Sequence, residues 1–187
     1  MPLLARRFAF CLLLSLLDVV VSSSAVERAS VAEVESFEER ALVLFFVSEE
    51  CPIANRYVPR IKSLHEKYSK EGVSFKLVYA NGDSTEHTVE THRKEFSIPI
   101  PALIDPEHVL VEKAKVSVTP ECAVFVHEGQ KNRRLVYHGR IDDQYVDFGK
   151  WRQVAGKKDL NDVLTTLLQG EEVTYYSEKA IGCYITR

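Results

Sequence analysis

Seven consecutive apolar residues, Ala41 to Val47 (ALVLFFV), admit few environments. A strand of that composition has no polar face to turn to water, so it belongs inside a sheet covered on both sides. Helix chemistry follows shortly after. Pro52 suits a first helical position, and Ile53, Tyr57, Ile61, Leu64 and Tyr68 recur at spacings of four, four, three and four. Gly72 closes that helix, and Val73 to Ala80 (VSFKLVYA) reads as a second strand. Strand, helix and strand in this order predict a parallel pair with a right-handed crossover.

Further along, Asp83-Ser84-Thr85-Glu86 resembles a capping box that opens a helix running to about Phe96. Asp105 is placed to cap, and Pro106 to start, a short helix through Ala114. Glu121 to His127 and Arg134 to Gly139 read as two strands of a β-hairpin joined by the turn-rich EGQKN. Leu160, Val163, Leu164, Leu167 and Leu168 form an apolar helical stripe that Gly170 ends. A βαβ half joined to a ββα half predicts an α/β chain of thioredoxin-like fold, a central mixed β-sheet flanked by helices. The expected domain covers 41–170. A loosely periodic acidic lead-in (26–40) precedes it, and a tail (171–187) carrying a Gly-Cys pair follows.

The first 25 residues have the form of a secretory signal. Arg6 and Arg7 are followed by an apolar run from Phe8 to Leu17, and Ser23-Ser24-Ala25 offers a small-residue cleavage site. The run is shorter than the ~20 apolar residues a membrane span requires. The expectation is therefore a secreted or periplasmic chain with no stable membrane span after cleavage. A net charge of −3 without a basic tract gives no match to a phosphate backbone, so nucleic acid is not an expected partner.

Cleavage near Ala25 leaves Cys51, Cys122 and Cys183. An odd count outside the cytoplasm leaves either one unpaired thiol or a pair that opens and closes. No C-x-x-C is present, which argues against a zinc ribbon, a c-type haem attachment or a dithiol thioredoxin motif. The six histidines are scattered, and neither a metal site nor a cofactor is expected.

Cys51 sits where the first buried strand gives way to the first helix. Free backbone N–H groups and the positive end of the helix dipole favour its thiolate there, while Glu49 and Glu50 oppose it. In a thioredoxin-like fold, Thr119-Pro120 just before the hairpin is the place of a cis proline packed against the active-site cysteine, where turned backbone receives an extended substrate. Cys122 reads as a core residue. Cys183 lies beyond the last helix, and the stretch from Gly170 reaches up to ~40 Å, enough to bring it to Cys51 as a resolving thiol.

Together CPIANRYVP, VTPECAVFV, LVYHGRIDDQY, KKDLNDVLTTLLQGE and IGCYI resemble the peroxiredoxin-like redoxin branch of the thioredoxin superfamily, over roughly Ala41 to Ile185. The resemblance implies thiol-based redox chemistry. Ser48 matches the Ser or Thr that peroxiredoxins carry three residues before the peroxidatic cysteine, whereas Leu44 stands where they carry proline. Ala54 stands where a dithiol oxidoreductase has its second cysteine. Three readings stay open. One is a thiol–disulfide oxidoreductase acting through Cys51, on a protein or small-molecule disulfide, with a thiol protein as electron donor. The second is an atypical peroxiredoxin reducing peroxide. The third is a thioredoxin-fold binding module without turnover.

Overall fold

The computed structural model describes residues 26–35, 38–128 and 132–187; the expected leader, 1–25, lies outside the described residues. A seven-stranded mixed sheet forms the centre, in the order β1-β4-β3-β2-β6-β7-β10. Its strands are β1 (Glu27–Arg28), β2 (Ala41–Val47), β3 (Val73–Tyr79), β4 (Ala102–Ile104), β6 (Glu121–Glu128), β7 (Asn132–Gly139) and β10 (Tyr176–Glu178). β2, β3 and β4 run parallel, β6 and β7 form the antiparallel hairpin, and β10 returns parallel to β7.

β2 is buried along its whole length, and alternation explains how. Ala41, Val43, Phe45 and Val47 join one apolar cluster, and Leu42, Leu44 and Phe46 join another on the opposite face. The first cluster is closed by α2 (Pro52–Tyr68), α3 (Glu86–Glu95) and α5 (Asp159–Leu168). The second is closed by α1 (Ala32–Glu35) and α4 (Val109–Ala114). This is the mixed sheet with helices on both faces that the element order predicts.

The differences are local. The segment expected as a lead-in supplies β1 at the sheet edge and buries Val34. Helix α3 begins two residues later than the capping-box reading, because Ser84 is held in a turn by Asn81 and by Glu49. Thr85 is the cap instead, and it exchanges hydrogen bonds with Thr88 at 3.2 and 2.9 Å. Gly72 ends not α2 itself but a 3-10 turn, Ser69–Glu71, that extends it. The tail is likewise part of the fold, adding β10 to the sheet and a strand β11 (Cys183–Tyr184) beyond it. Among the described residues no helix is long and apolar enough to cross a membrane.

Asp105 caps α4 from a distance. Its carboxylate accepts from the backbone N–H groups of Val109, Leu110 and Val111 at 2.8, 2.9 and 3.0 Å. His108, immediately before the helix, takes a left-handed backbone and contributes no side-chain cap. Burial pushes the Asp105 carboxyl up, and the three N–H groups pull against it. Asp105→Ala leaves those donors buried without an acceptor, so we expect a loss of ~1–3 kcal/mol in urea unfolding. Asp105→Asn, which keeps one acceptor oxygen, should lose less.

Candidate active site

Cys51 is held at the corner where β2 leaves the sheet. It is the N-cap of α2, with extended backbone, and Pro52 follows as the first helical residue. The third helical residue, Ala54, donates its otherwise unpaired N–H to Cys51 Sγ at 3.4 Å. On the other side the Cys51 thiol donates to the carbonyl of Thr119 at 3.0 Å. Thr119–Pro120 is a cis peptide at the end of β5 (Val118–Thr119). Cys51 and Pro120, distant in sequence, thus meet at one end of the sheet.

β11 lies antiparallel on β5, with Cys183 opposite Thr119 and Tyr184 opposite Val118. Gly182 makes that approach possible, since a Cβ on it would stand 2.3 Å from the Thr119 carbonyl oxygen. The pairing sets Cys183 opposite the residue whose carbonyl takes the Cys51 thiol, so the two cysteines are neighbours and each affects the other's ionisation. Both are free thiols in this structure, as is Cys122.

The two neighbouring thiols are driven apart in acidity. Burial alone would push Cys51 up, but it is outweighed by the neighbouring Cys183, the Ala54 N–H and Thr119, so Cys51 ionises below an ordinary thiol. The Thr119 hydroxyl itself is buried and makes no hydrogen bond. Cys183 is pushed up to about 12, by its own burial first and then by its bond to Cys51 and the charge there. Glu49, expected to oppose the thiolate, is engaged elsewhere. Its carboxylate accepts from the hydroxyls of Ser84 and Thr88 at 3.0 and 2.8 Å. Cys122 is fully buried, its thiol donates to the Gly139 carbonyl at 3.3 Å, and burial raises it well above an ordinary thiol.

Ser48 is buried and within the corner, yet its hydroxyl bonds Asn81 Nδ2 at 3.0 Å, and its link to Cys51 runs through backbone. Asn81 in turn accepts from the N–H of Thr186 at 3.3 Å, while Ile185 N–H donates to the Ser117 carbonyl. Ser48 and Asn81 therefore tie the Cys51 loop to the terminal strand. Sequence reading missed Asn81, for which a lone asparagine in a turn gives no signal.

A second brace holds α2. Asn55 donates to the Glu49 carbonyl and accepts from His92 Nε2, whose Nδ1 accepts from the Tyr79 hydroxyl at 2.8 Å. Burial pulls His92 down, which suits this neutral form. Tyr57 donates to Asp142 Oδ1 at 2.7 Å, and Arg60 pairs with the same carboxylate. Arg140 pairs with Asp159 of α5 in a two-point contact at 2.8 and 3.1 Å. Among the described residues no group of three or more His, Cys, Asp or Glu is placed to hold a metal ion.

Comparison with known proteins bears on the fold. A family described as thioredoxin-like matches residues 39–130. A solved hypothetical protein from Sinorhizobium meliloti 1021 is 23% identical, covering 86% of this chain and 88% of its own, with a TM-score of 0.69. An uncharacterized conserved protein from Geobacillus kaustophilus is 22% identical over 87% of each chain, with a TM-score of 0.71. A putative thiol:disulfide interchange protein DsbE from Chlorobium tepidum is 15% identical, covering 70% of this chain and 81% of its own, at a TM-score of 0.50. No curated protein matches significantly. The solved structures share the fold, and the stretch from 39 to 130, with the mixed sheet built around it, is similar to the thioredoxin-like family.

Proposed function

We propose that the protein is a thiol–disulfide oxidoreductase in which Cys51 and Cys183 cycle between dithiol and disulfide. The observation that carries this reading is the pairing of β11 with β5, which sets Cys183 opposite Thr119, the residue whose carbonyl takes the Cys51 thiol. The Cys51 thiolate attacks one sulfur of a substrate disulfide, forming a mixed disulfide and expelling the other sulfur as thiolate. With Cys51 then uncharged and bonded, two of the three causes that hold Cys183 up disappear. Cys183 loses its proton and attacks Cys51 Sγ. The substrate leaves as its second thiol, and a Cys51–Cys183 disulfide remains for a thiol donor to reduce.

Ser48 and Asn81 act in this reading as positioning residues, and Thr119 and Pro120 as the backbone edge beside the reacting sulfur. Export rests on the leader-like residues 1–25. Thiol oxidoreductase chemistry is supported by the thioredoxin-like match. A second reading, reduction of peroxide, is favoured by one observation. Cys51 is only 2% exposed, so a small oxidant needs less opening around it than a bulky disulfide does. Peroxide oxygen would transfer to Cys51 as a sulfenic acid, which Cys183 converts to the same disulfide with release of water.

Peptide mapping of oxidised protein under non-reducing conditions tests the shared intermediate. The expected product is a Cys51–Cys183 cross-linked peptide, absent in Cys183→Ser. A Cys183 that stays free while Cys51 is oxidised would overturn the reading. Supplying peroxide or a disulfide to Cys183→Ser then separates the oxidants. A sulfenic acid accumulates on Cys51 in one case, and a mixed disulfide in the other.

A further inference from the structure

The two thiols present unequally to the outside. Cys51 is 2% exposed, whereas Cys183 is half-buried and opens on a groove of about 350 Å3. The groove runs between the first turn of α2 (Pro52, Ile53, Arg56) and the ribbon of β8 (Tyr145–Asp147) and β9 (Lys150–Trp151), whose Phe148 and Trp151 face it. Its lining is apolar apart from one charge. The Arg56 guanidinium lies 4.3 Å over the Trp151 ring and has no carboxylate partner among the described residues. Cys51 does not line this groove.

We propose that this groove docks the reducing partner, a polypeptide presenting a cysteine thiol beside an acidic residue, and that its thiol attacks the Cys183 side of the disulfide. The proposal rests on the Cys51–Cys183 disulfide of the reading above. Exposed apolar surface argues for a polypeptide over a small thiol. Phe148 and Trp151 are 60% and 47% exposed, and Val146 and Tyr184, next in sequence to the lining residues Tyr145 and Cys183, are exposed as well. Arg56 supplies the complement to an acidic side chain, its charge left over after stacking on Trp151.

The exchange balances as follows. The partner's thiolate bonds to Cys183 Sγ, the Cys183–Cys51 bond breaks, and its electron pair leaves on Cys51. That is the better leaving group, because the Ala54 N–H and the helix N-terminus receive the thiolate. A second thiol of the partner then attacks the partner's own sulfur in the mixed disulfide. The partner departs as a disulfide, two electrons poorer, and Cys183 leaves as a thiolate that takes up a proton. In this half of the cycle Cys183, not Cys51, carries the partner.

The test uses the full chain and two short peptides of equal length. Each carries one cysteine and one leucine, flanked by glutamates in the first and by lysines in the second. Trp151 is the single tryptophan, so its emission reports the groove directly. Serine versions of the peptides, which bind without reacting, are titrated against that emission. The glutamate peptide should bind about threefold more tightly than the lysine peptide at low ionic strength. The preference should vanish in Arg56→Gln and persist in Lys70→Gln, a control for net charge at the far end of α2. The cysteine peptide, added briefly to the oxidised chain and quenched with acid, should be recovered on Cys183. Recovery on Cys51, or equal binding of both peptides with Arg56 in place, would overturn the proposal and leave the disulfide reading standing. If the non-reducing map shows no Cys51–Cys183 disulfide before peptide is added, the reading and the attack on Cys183 fall together.

Discussion

Cys51→Ser is expected to lower thiol–disulfide exchange by at least ~10³-fold while leaving the chain folded. A serine oxygen can still accept from the Ala54 N–H, so the cap of α2 is kept, but no thiolate forms at neutral pH. Turnover that survives the change would mean that another group does the chemistry. Cys183→Ala provides the companion measurement. It removes the neighbour that does most to lower the Cys51 thiol, and burial, which pushes the other way, stays. Thiolate absorbance followed against pH should therefore show the wild-type Cys51 ionising below the ~8.5 of an ordinary cysteine. The midpoint should move up in Cys183→Ala. The rate of attack by Cys51 on a disulfide should follow, levelling off at a lower pH in wild type than in the variant.

Gly182→Val is the second large effect, and it acts through geometry alone. Any Cβ at this position meets the Thr119 carbonyl at 2.3 Å and the adjoining carbonyl carbon at 2.7 Å, both of them backbone atoms that cannot swing aside. β11 must then lift from β5, taking Cys183 with it. A displacement of about 1 Å at a reacting pair costs on the order of 100-fold in rate, so closure of the Cys51–Cys183 disulfide should slow by about that factor. Stability should change little. β11 contributes two residue pairs outside the seven-stranded sheet, and Tyr184 at its end is 76% exposed. Stopped-flow oxidation and urea unfolding of the same variant separate the two effects. An unchanged closure rate would show that the register of β11 is not what holds the thiols together.

The contrast with Gly139 shows how differently two glycines of one chain are used. Gly139 has φ +142°, and a Cβ there would stand 2.0 Å from the Glu178 carbonyl oxygen. Substitution at Gly139 strikes β10 within the main sheet, and substitution at Gly182 strikes only the strand that delivers a thiol.

Amino-acid pattern alone determined the central elements, because each is a local consequence of composition. Seven apolar residues with no polar face require two covers, and β2 has them in the clusters beneath α2 and α1. Apolar spacing of three and four required α2 and α5, and the turn-rich residues between two strands required the β6–β7 hairpin. What could not be read locally was pairing between short, distant segments. β1, β4, β5 and β11 have two or three residues each, too few to show a period, and their partners lie far along the chain. For that reason the lead-in and the tail look like appendages in the sequence, although the first adds β1 and the second adds β10 and β11.

The candidate site divides the same way. Cys51 at a strand-to-helix corner is a local feature, since Pro52 and the apolar period after it announce the helix whose first turn receives the sulfur. Its lowered pKa is not local. Burial raises a thiol, and the groups that reverse this come from β5 and β11, brought in by the end of the sheet and by the absence of a side chain at Gly182. Composition also set Glu49 against the thiolate, and the fold turned that carboxylate to the hydroxyls of Ser84 and Thr88. Sequence thus supplied the reactive residue types and the helix that faces them. Tertiary structure decided which thiol meets which, because a hydrogen bond acts over about 3 Å and chain order carries no information at that scale.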